Sequence, residues 1–228
     1  MVLSAVMEDY LKSIYHLQQE TDDKVRTSEI ADYLDVTAPS VTSMLDKLEE
    51  RGLINHEKYM GVSLTPDGER VALEVIRRHR LLEAYLTEHL EYSWTDVHDE
   101  ADRLEHYISD DLAARVAAAL DDPETDPHGA PIPSSTLELP DQHVGTALSE
   151  FEEKTVVVIE QVSDRDPEVL EYLSDRGIEP GSEHMIREIA SFGLYTLDPL
   201  DGGDSVSLPE HVAQSVQVAP VELVQIEF

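Results

Sequence analysis

The chain has 228 residues, and its 49 acidic and 16 basic side chains give a formal net charge of -33. With 41% apolar residues it is long enough to bury one large core or two smaller ones, and the absence of cysteine excludes a disulfide scaffold. It contains neither a basic stretch followed by an apolar run nor about 18 consecutive apolar residues, so the sequence predicts a cytoplasmic protein without a membrane segment.

Three helices are predicted in the first 50 residues. Residues 4–19 repeat apolar side chains at the helical period, and Thr27 can cap a second helix. A third helix is predicted over residues 37–50, where Thr37 can act as the cap and Pro39 lies in the first turn, which tolerates proline. The short turn between the second and third helices is typical of a helix-turn-helix.

Two short strand-like runs follow the third helix. They lie at residues 53–54 and 62–65 and are closed by Pro66-Asp67-Gly68. Three helices followed by a hairpin and another helix predict a winged helix-turn-helix. The alternative is a small helical bundle with a hairpin and no role in DNA binding.

The start of the third helix carries small and hydroxylic side chains. In a helix-turn-helix these positions enter the major groove, where such side chains reach phosphates, base edges or thymine methyl groups. No Arg or Asn is present there for a bidentate base contact, so we expect DNA shape, water and repeated half-sites to supply much of the specificity. The DNA-binding candidates are Thr37, Pro39, Ser40, Thr42 and Ser43, with Arg26, Lys47, Arg51 and Lys58 as phosphate-binding candidates.

Potential metal ligands form a row in the next helical region. A long helix from Gly68 carries His79 and Glu83 four residues apart, and a helix predicted over residues 94–109, capped at Ser93 or Thr95, carries four more ligands on one face. These four are His98, Asp102, Glu105 and His106. An apolar band beside the row would place it at the edge of a core. This pattern predicts metal binding.

An enzyme is the competing class, because such clusters also hold catalytic metals. The sequence lacks an HExxH pattern, a G-x-S-x-G elbow and a phosphate-binding glycine loop, and these absences weigh against a hydrolase.

The composition changes after an alanine-rich helix predicted over residues 110–120. Residues 121–141 contain five prolines, which cannot continue a helix and predict a linker. Beyond it, short strands alternate with Gly, Pro and Asp turns, and a helix interrupts them at residues 167–175. The strands are predicted at residues 155–159, 185–186, 194–197, 205–208 and 221–226, and a small, partly open β-barrel is the expected result.

Acidic residues occur in every segment of the chain. This distribution is typical of extreme halophiles, which keep proteins soluble with a solvated acidic surface. The alternative is a surface for basic partners or many cations. Ten of the 16 bases lie in residues 1–90, so any cationic surface is N-terminal.

Six segments resemble the iron- and manganese-dependent transcriptional repressors of the DtxR/MntR (diphtheria toxin repressor) type. They are MEDYLKSIY, APSVTSMLDKLEERGLI, LTPDGERVA, RRHRLLEAYL, VHDEADRLEHYISD and DPHGAPIP. The resemblance implies an α+β fold with a winged helix-turn-helix over residues 1–70, a helical metal-binding and dimerisation domain with a proline-rich linker over 71–140, and an SH3-like or FeoA-like barrel over 150–228. It also implies a homodimer, paired through residues 90–120, on a palindromic double-stranded operator.

The resemblance further implies two metal sites in each subunit. One consists of Asp9, Asp102, Glu105 and His106, and the other of His79, Glu83 and His98. The ligands that some relatives send from the barrel correspond to Asp166 and Glu168. Arg80 matches an anion-binding position, but Asp126 and Ala130 stand at the matching linker positions, so Asp126 or His128 is expected to take the place of the anion.

The ligand types favour Mn²⁺, with Fe²⁺ as the alternative. Iron-sensing relatives use softer ligands where this chain has Asp9 and Asp102, and an oxygen-rich site suits a hard cation. Manganese-type relatives have a glutamate where this chain has Lys12, so the chain departs from the family pattern at one position of the site.

We therefore expect a repressor, not an enzyme, that senses Mn²⁺ and controls genes of metal uptake and homeostasis. Metal would join Asp9 to the helix that carries Asp102, so that two recognition helices match major grooves about 34 Å apart. The alternatives are an iron-dependent repressor of the same family, a winged-helix regulator that responds to an organic or protein ligand, and a metal-dependent hydrolase.

Overall fold

The structure is a computed structural model that describes residues 3–21, 24–57, 60–140 and 145–221. It has the predicted α+β fold, with a winged helix-turn-helix, a helical domain and a β-barrel in chain order. Among the helices in these ranges, none has the length and apolar character needed to cross a membrane.

The winged helix-turn-helix has three helices and one hairpin. They are α1 (Ala5–Thr21), α2 (Thr27–Tyr33), α3 (Ala38–Glu50), β1 (Ile54–Glu57) and β2 (Gly61–Leu64). The strands pair antiparallel, with Ile54 opposite Leu64. Each helix buries the apolar face that its period predicts, and Leu11, Ile30 and Leu45 are fully buried in one core.

Of the two helix caps predicted in this domain, the one at Thr27 is wrong and the one at Thr37 is correct in position. Arg26 precedes the first turn of α2 in place of Thr27, and its backbone N–H donates to Glu29 Oε2 at 2.6 Å. Thr37 is the N-cap of α3, but its hydroxyl pairs with the Ser40 hydroxyl at 2.9 Å and not with a backbone N–H. The hydroxyls of both residues lie on the exposed start of α3.

The helical domain consists of α4 (Pro66–Leu90), α5 (Val97–Leu104) and α6 (Asp110–Ala119). The helix predicted over residues 94–109 is shorter than expected. Its N-cap residue is Asp96, which makes no side-chain cap hydrogen bond, and not the predicted Ser93 or Thr95, and the chain turns after Leu104. The chain leaves the helix to begin α6, where the Ser109 hydroxyl accepts the Leu112 N–H at 3.2 Å. Glu105 keeps a helical backbone, so the ligand row continues into the turn.

The linker lies against both neighbouring domains. Arg77 and Arg80 of α4 donate hydrogen bonds to the carbonyls of Pro133 and Pro131. On the other side, the Val162 N–H donates to the His128 carbonyl at 2.9 Å, so the linker is bonded to the barrel. The segment is therefore held in place next to the ligand row.

The barrel is a six-stranded antiparallel sheet with the order β3-β8-β4-β5-β6-β7. Its elements are β3 (Thr146–Ala147), β4 (Val156–Val162), α7 (Pro167–Ser174), β5 (Glu183–Ala190), β6 (Leu194–Pro199), β7 (Val206–Pro209), α8 (Glu210–Gln214) and β8 (Val216–Pro220). The last described strand ends at Pro220, before the strand predicted over 221–226, and residues 222–226 lie outside the described ranges.

Candidate metal centre

Three elements bring the predicted ligands of the helices together. Helix α4 supplies two of them, α5 and the turn after it supply four, and α1 of the winged helix-turn-helix supplies Asp9. We call His79, Glu83, His98 and Asp164 the His79 group, and we call the predicted ligands Asp9, Asp102, Glu105 and His106 the Glu105 group. The potential ligand atoms of Asp9, Glu105 and His106 cluster, whereas those of Asp102 cluster with His79 and Glu105 and not with Asp9 and His106.

The atoms of the His79 group have the spacing of a coordination shell. His79 Nε2 lies 2.9 Å from Glu83 Oε1 and 3.2 Å from His98 Nδ1. His98 Nδ1 also lies 3.2 Å from Glu83 Oε1 and 3.1 Å from Asp164 Oδ2. Adjacent ligands that are about 2.1 Å from a small divalent cation are about 3 Å apart. The four side chains therefore fit a metal ion.

Asp164 is a member of the His79 group that the sequence analysis missed. The barrel candidates named there were Asp166 and Glu168, and the structure does not bring either one to the group: Asp166 caps α7, with Oδ1 accepting the Glu168 N–H at 3.0 Å, and Glu168 is exposed. Asp164 follows the end of β4, far in sequence from α4 and α5. No local spacing connects these segments, and acids are frequent throughout the barrel, so the sequence carried no signal for it.

In the Glu105 group, the His106 ring contacts two residues of α1 and its own neighbour Glu105. Its Nε2 lies 2.9 Å from Asp9 Oδ1 and 3.4 Å from Glu105 Oε1, and its Nδ1 lies 2.7 Å from Glu8 Oε2. A carboxylate that accepts the Nδ1–H of a histidine fixes the ring and leaves Nε2 as the free nitrogen. Glu8 was also missed by the sequence analysis, and it orients a predicted ligand.

Lys12 of α1 places a positive charge inside the Glu105 group. Its ammonium donates to Asp102 Oδ1 at 2.7 Å and to the two oxygens of Glu105 at 2.9 and 3.0 Å. Burial alone would lower the pKa of Lys12, but the two carboxylates raise it above its usual value. Burial would likewise raise the pKa of Asp102, but hydrogen bonds and charge from His79 and Lys12 hold it well below its usual range.

His79 lies between the two groups. Its Nδ1 is 2.6 Å from Glu105 Oε2, while its Nε2 faces Glu83 and His98. Donation of Nδ1–H to Glu105 leaves the Nε2 lone pair for a metal in the His79 group. Burial acts to lower the pKa of His79, but Glu83, Asp102 and Glu105 raise it well above the usual value.

A third cluster joins Glu83 to the linker residues Asp126 and His128. Glu83 Oε2 and His128 Nδ1 are buried 3.7 Å apart, and neither has a hydrogen-bond partner among the described residues. Buried polar atoms without partners are costly, and a cation between this oxygen and nitrogen would satisfy both. Asp126 Oδ2 lies 3.6 Å from Nε of Arg80, so a carboxylate of the chain itself faces that guanidinium.

The candidate DNA-binding residues that the structure describes are exposed on the winged helix-turn-helix. Thr37, Pro39, Ser40, Thr42 and Ser43 are exposed at the start of α3. The basic candidates Arg26, Lys47 and Arg51 are exposed as well, and Lys58 lies outside the described residues.

Residues 2–62 match the model of the iron dependent repressor N-terminal DNA binding domain, residues 65–134 the metal binding and dimerisation domain of the same repressors, and residues 146–220 the FeoA domain. The chain is 33% identical to the diphtheria toxin repressor of Corynebacterium glutamicum, over 94% of this chain and 96% of that protein. The chain belongs to the diphtheria toxin repressor family. It is therefore a metal-dependent, DNA-binding transcriptional repressor and not an enzyme, as predicted.

Other repressors are similar to this chain over the same length, in sequence or in structure. The iron-dependent repressor IdeR of Mycobacterium tuberculosis is 31% identical over 94% of this chain and 96% of its own. A solved manganese-dependent transcriptional repressor in complex with manganese aligns with a TM-score of 0.88 at 36% identity, covering 94% of this chain and all of that one. ScaR with bound Cd²⁺ aligns with a TM-score of 0.81 at 34% identity, over 94% and 99% of the two chains.

Proposed function

We propose that this repressor responds to Mn²⁺ and controls genes of metal uptake and homeostasis. The observation that carries the choice of metal is the composition of the Glu105 group, in which three carboxylates accompany one imidazole. Oxygen ligands of this kind favour hard cations over softer ones. The similarity to a manganese-dependent repressor complex supports the same choice, while the similarity to IdeR keeps Fe²⁺ as the second candidate.

We infer two metal sites in each subunit, one in the His79 group and one in the Glu105 group. In the His79 group the ligand atoms lie about 3 Å from their neighbours, as a small divalent cation requires, and in the Glu105 group His106 Nε2 lies 2.9 Å from Asp9 Oδ1 and 3.4 Å from Glu105 Oε1. A bound divalent cation supplies the positive charge that the clustered carboxylates share. The orphaned atoms of Glu83 and His128 extend the His79 group toward the linker.

The proposed response to metal is a population shift. Asp9 belongs to α1 of the winged helix-turn-helix, while its neighbour His106 follows α5 of the helical domain. A ligand pair that spans two domains restricts their relative orientation. In a homodimer on a palindromic operator, this would align two α3 helices with major grooves about 34 Å apart.

Exposed apolar side chains support residues 90–120 as the pairing surface of the dimer. They are Leu90, Tyr92, Tyr107 and Leu112, all on or beside α4 to α6. We propose domain limits of 1–70, 71–140 and 150–228 and a cytoplasmic location. The formal charge of -33 also favours a halophilic cell, in which acidic surfaces keep proteins soluble at high salt.

Operator binding with and without metal tests the proposed function. DNA duplexes selected from genomic fragments by the purified protein would be titrated in chelator, in Mn²⁺ and, without oxygen, in Fe²⁺. We expect binding at a lower free concentration of Mn²⁺ than of Fe²⁺. Asp102→Asn should weaken the metal response, and the matched control Asp99→Asn, on the exposed part of α5, should not. Equal DNA affinity in chelator and in metal would favour a regulator of organic or protein ligands instead.

A further inference from the structure

The loop at residues 163–166, which follows β4, touches all three domains. Its Asp164 belongs to the His79 group of the helical domain, with Oδ2 3.1 Å from His98 Nδ1. The next residue, Arg165, lies over the ring of Tyr33 in the winged helix-turn-helix, with the guanidinium carbon 4.9 Å from the ring centroid. At the base of the loop, Val162 is bonded to the linker carbonyl of His128.

Tyr33 occupies a position that matters for DNA binding. It is the last residue of α2, and only three residues separate it from Thr37, the N-cap of α3. A contact at Tyr33 therefore acts on the turn that sets α3 against α2. A guanidinium within about 6 Å of an aromatic centroid is attracted by the ring face, so the Arg165–Tyr33 contact is attractive.

The local charge makes this contact distinctive. Residues 91–228 contain only six bases among many acids, and one of the six is placed next to a metal-ligand candidate and on an aromatic ring of another domain. The only other described Arg–Tyr stack of the barrel, Arg176 over Tyr172 at 3.6 Å, stays within α7 and the turn after it. Arg165 alone connects the barrel to the helix-turn-helix by such a stack among the described residues.

We propose that Asp164 and Arg165 form a second connection between metal and DNA binding, separate from the Asp9–His106 pair. Metal in the His79 group fixes Asp164, and the adjacent Arg165 then holds Tyr33 and the start of α3 in the orientation that binds DNA. The barrel thus takes part in the response to metal as a positioning element. This inference rests on the proposed assignment of Asp164 as a metal ligand.

The test is the coupling between Mn²⁺ and DNA in Arg165→Ala, made in the full chain. Mn²⁺ affinity would be measured without DNA and with a duplex selected by the wild-type protein, and DNA affinity would be measured in chelator and in saturating Mn²⁺. Because coupling is reciprocal, both pairs of measurements give the same factor. We expect this factor to fall about three- to tenfold, while Mn²⁺ affinity without DNA stays within about twofold of wild type.

Arg176→Ala is the matched control, since it removes an Arg–Tyr stack that stays within the barrel, and it should leave the coupling unchanged. Tyr33→Leu should reproduce the loss, and the double variant with Arg165→Ala should lose no more than either single one. Thermal unfolding of each variant verifies that it is folded.

The outcomes distinguish the Asp164–Arg165 connection from the two proposals on which it rests, the assignment of Asp164 as a metal ligand and the response to Mn²⁺. Asp164→Asn should lower Mn²⁺ affinity, and an unchanged affinity would overturn both the ligand assignment and the connection. A lowered affinity in Asp164→Asn together with wild-type coupling in Arg165→Ala would overturn the connection alone. DNA binding by the wild-type protein that ignores chelator would instead overturn the proposed manganese response.

Discussion

Glu105 accepts a hydrogen bond from His79 Nδ1 at 2.6 Å, so one carboxylate belongs to the Glu105 group and also orients a ligand of the His79 group. The side chain is completely buried, and its second oxygen lies 3.4 Å from His106 Nε2. The two groups are therefore not independent. A substitution at this carboxylate therefore alters the ligands of both groups.

We expect Glu105→Gln to weaken Mn²⁺ binding at both groups. The amide loses the charge that a cation needs in the Glu105 group, and its oxygen is a weaker acceptor for the His79 Nδ1–H than a carboxylate, so it holds the tautomer that exposes Nε2 less firmly. Loss of such an orienting partner lowers metal affinity about 10- to 100-fold. Isothermal titration of the metal-free protein measures both steps. If the titration resolves two binding steps and one of them keeps the wild-type Mn²⁺ affinity, Glu105 does not act on both groups. Glu100→Gln on α5 is the control.

Lys12→Met should raise the Mn²⁺ affinity of the Glu105 group by about tenfold, because the cation no longer competes with an ammonium bonded to Asp102 and Glu105. Methionine is uncharged and keeps most of the length of the lysine side chain. The metal-free variant should also lose about 2 kcal/mol of unfolding free energy, since two carboxylates lose a charged donor.

Both effects of Lys12→Met are measured on the same sample, by metal titration and by denaturant unfolding in chelator. Lys47→Met, on the exposed surface of α3, is the matched control and should alter neither quantity. Weaker Mn²⁺ binding in Lys12→Met would mean that the ammonium assists the metal and does not compete with it.

The pH dependence of the metal-free protein follows from two histidines. Burial would lower their pKa values, but hydrogen bonds from Asp164 and Glu83 and the charge of Asp164 raise that of His98 to about 10, and the negative charges of Glu83 and Asp126 raise that of His128 to about 9. A folded pKa above the unfolded value of about 6.5 stabilises the fold fully below pH 6.5, and this stability is lost as pH rises through the folded pKa.

Denaturant unfolding in chelator should therefore show a free energy that falls between pH 7 and about 10. Metal binding displaces the same protons, so Mn²⁺ affinity should rise over this window. His98→Gln should flatten the stability profile, and His89→Gln, at the exposed end of α4, should not. A flat wild-type profile would show that these imidazoles are already neutral at pH 7.

The ligands that sequence analysis identified from the residues themselves are those within single helices. The four-residue spacing of His79 and Glu83 survives folding because a helix fixes it locally, and the same holds for His98 and Asp102. Asp164 and His128 come from the barrel and the linker, which are joined by the hydrogen bond between Val162 and His128, and no local period encodes their proximity to Glu83. The period could likewise predict α5 but not its early end, which is followed by a new helix with Ser109 as its N-cap.

The salt dependence of DNA binding tests the halophilic proposal. Counterion release normally makes DNA affinity fall steeply as salt rises. The exposed start of α3 carries hydroxyls and not bases, and with a net charge of -33 we expect cations to be taken up between the acidic surface and the phosphates. Uptake of these cations on binding opposes the usual release, so we expect a weak or reversed dependence on KCl. Arg51→Ala should shift the slope by about one ion. A steep loss of wild-type affinity with rising KCl would show that counterion release still dominates, and the acidic surface would then serve solubility alone.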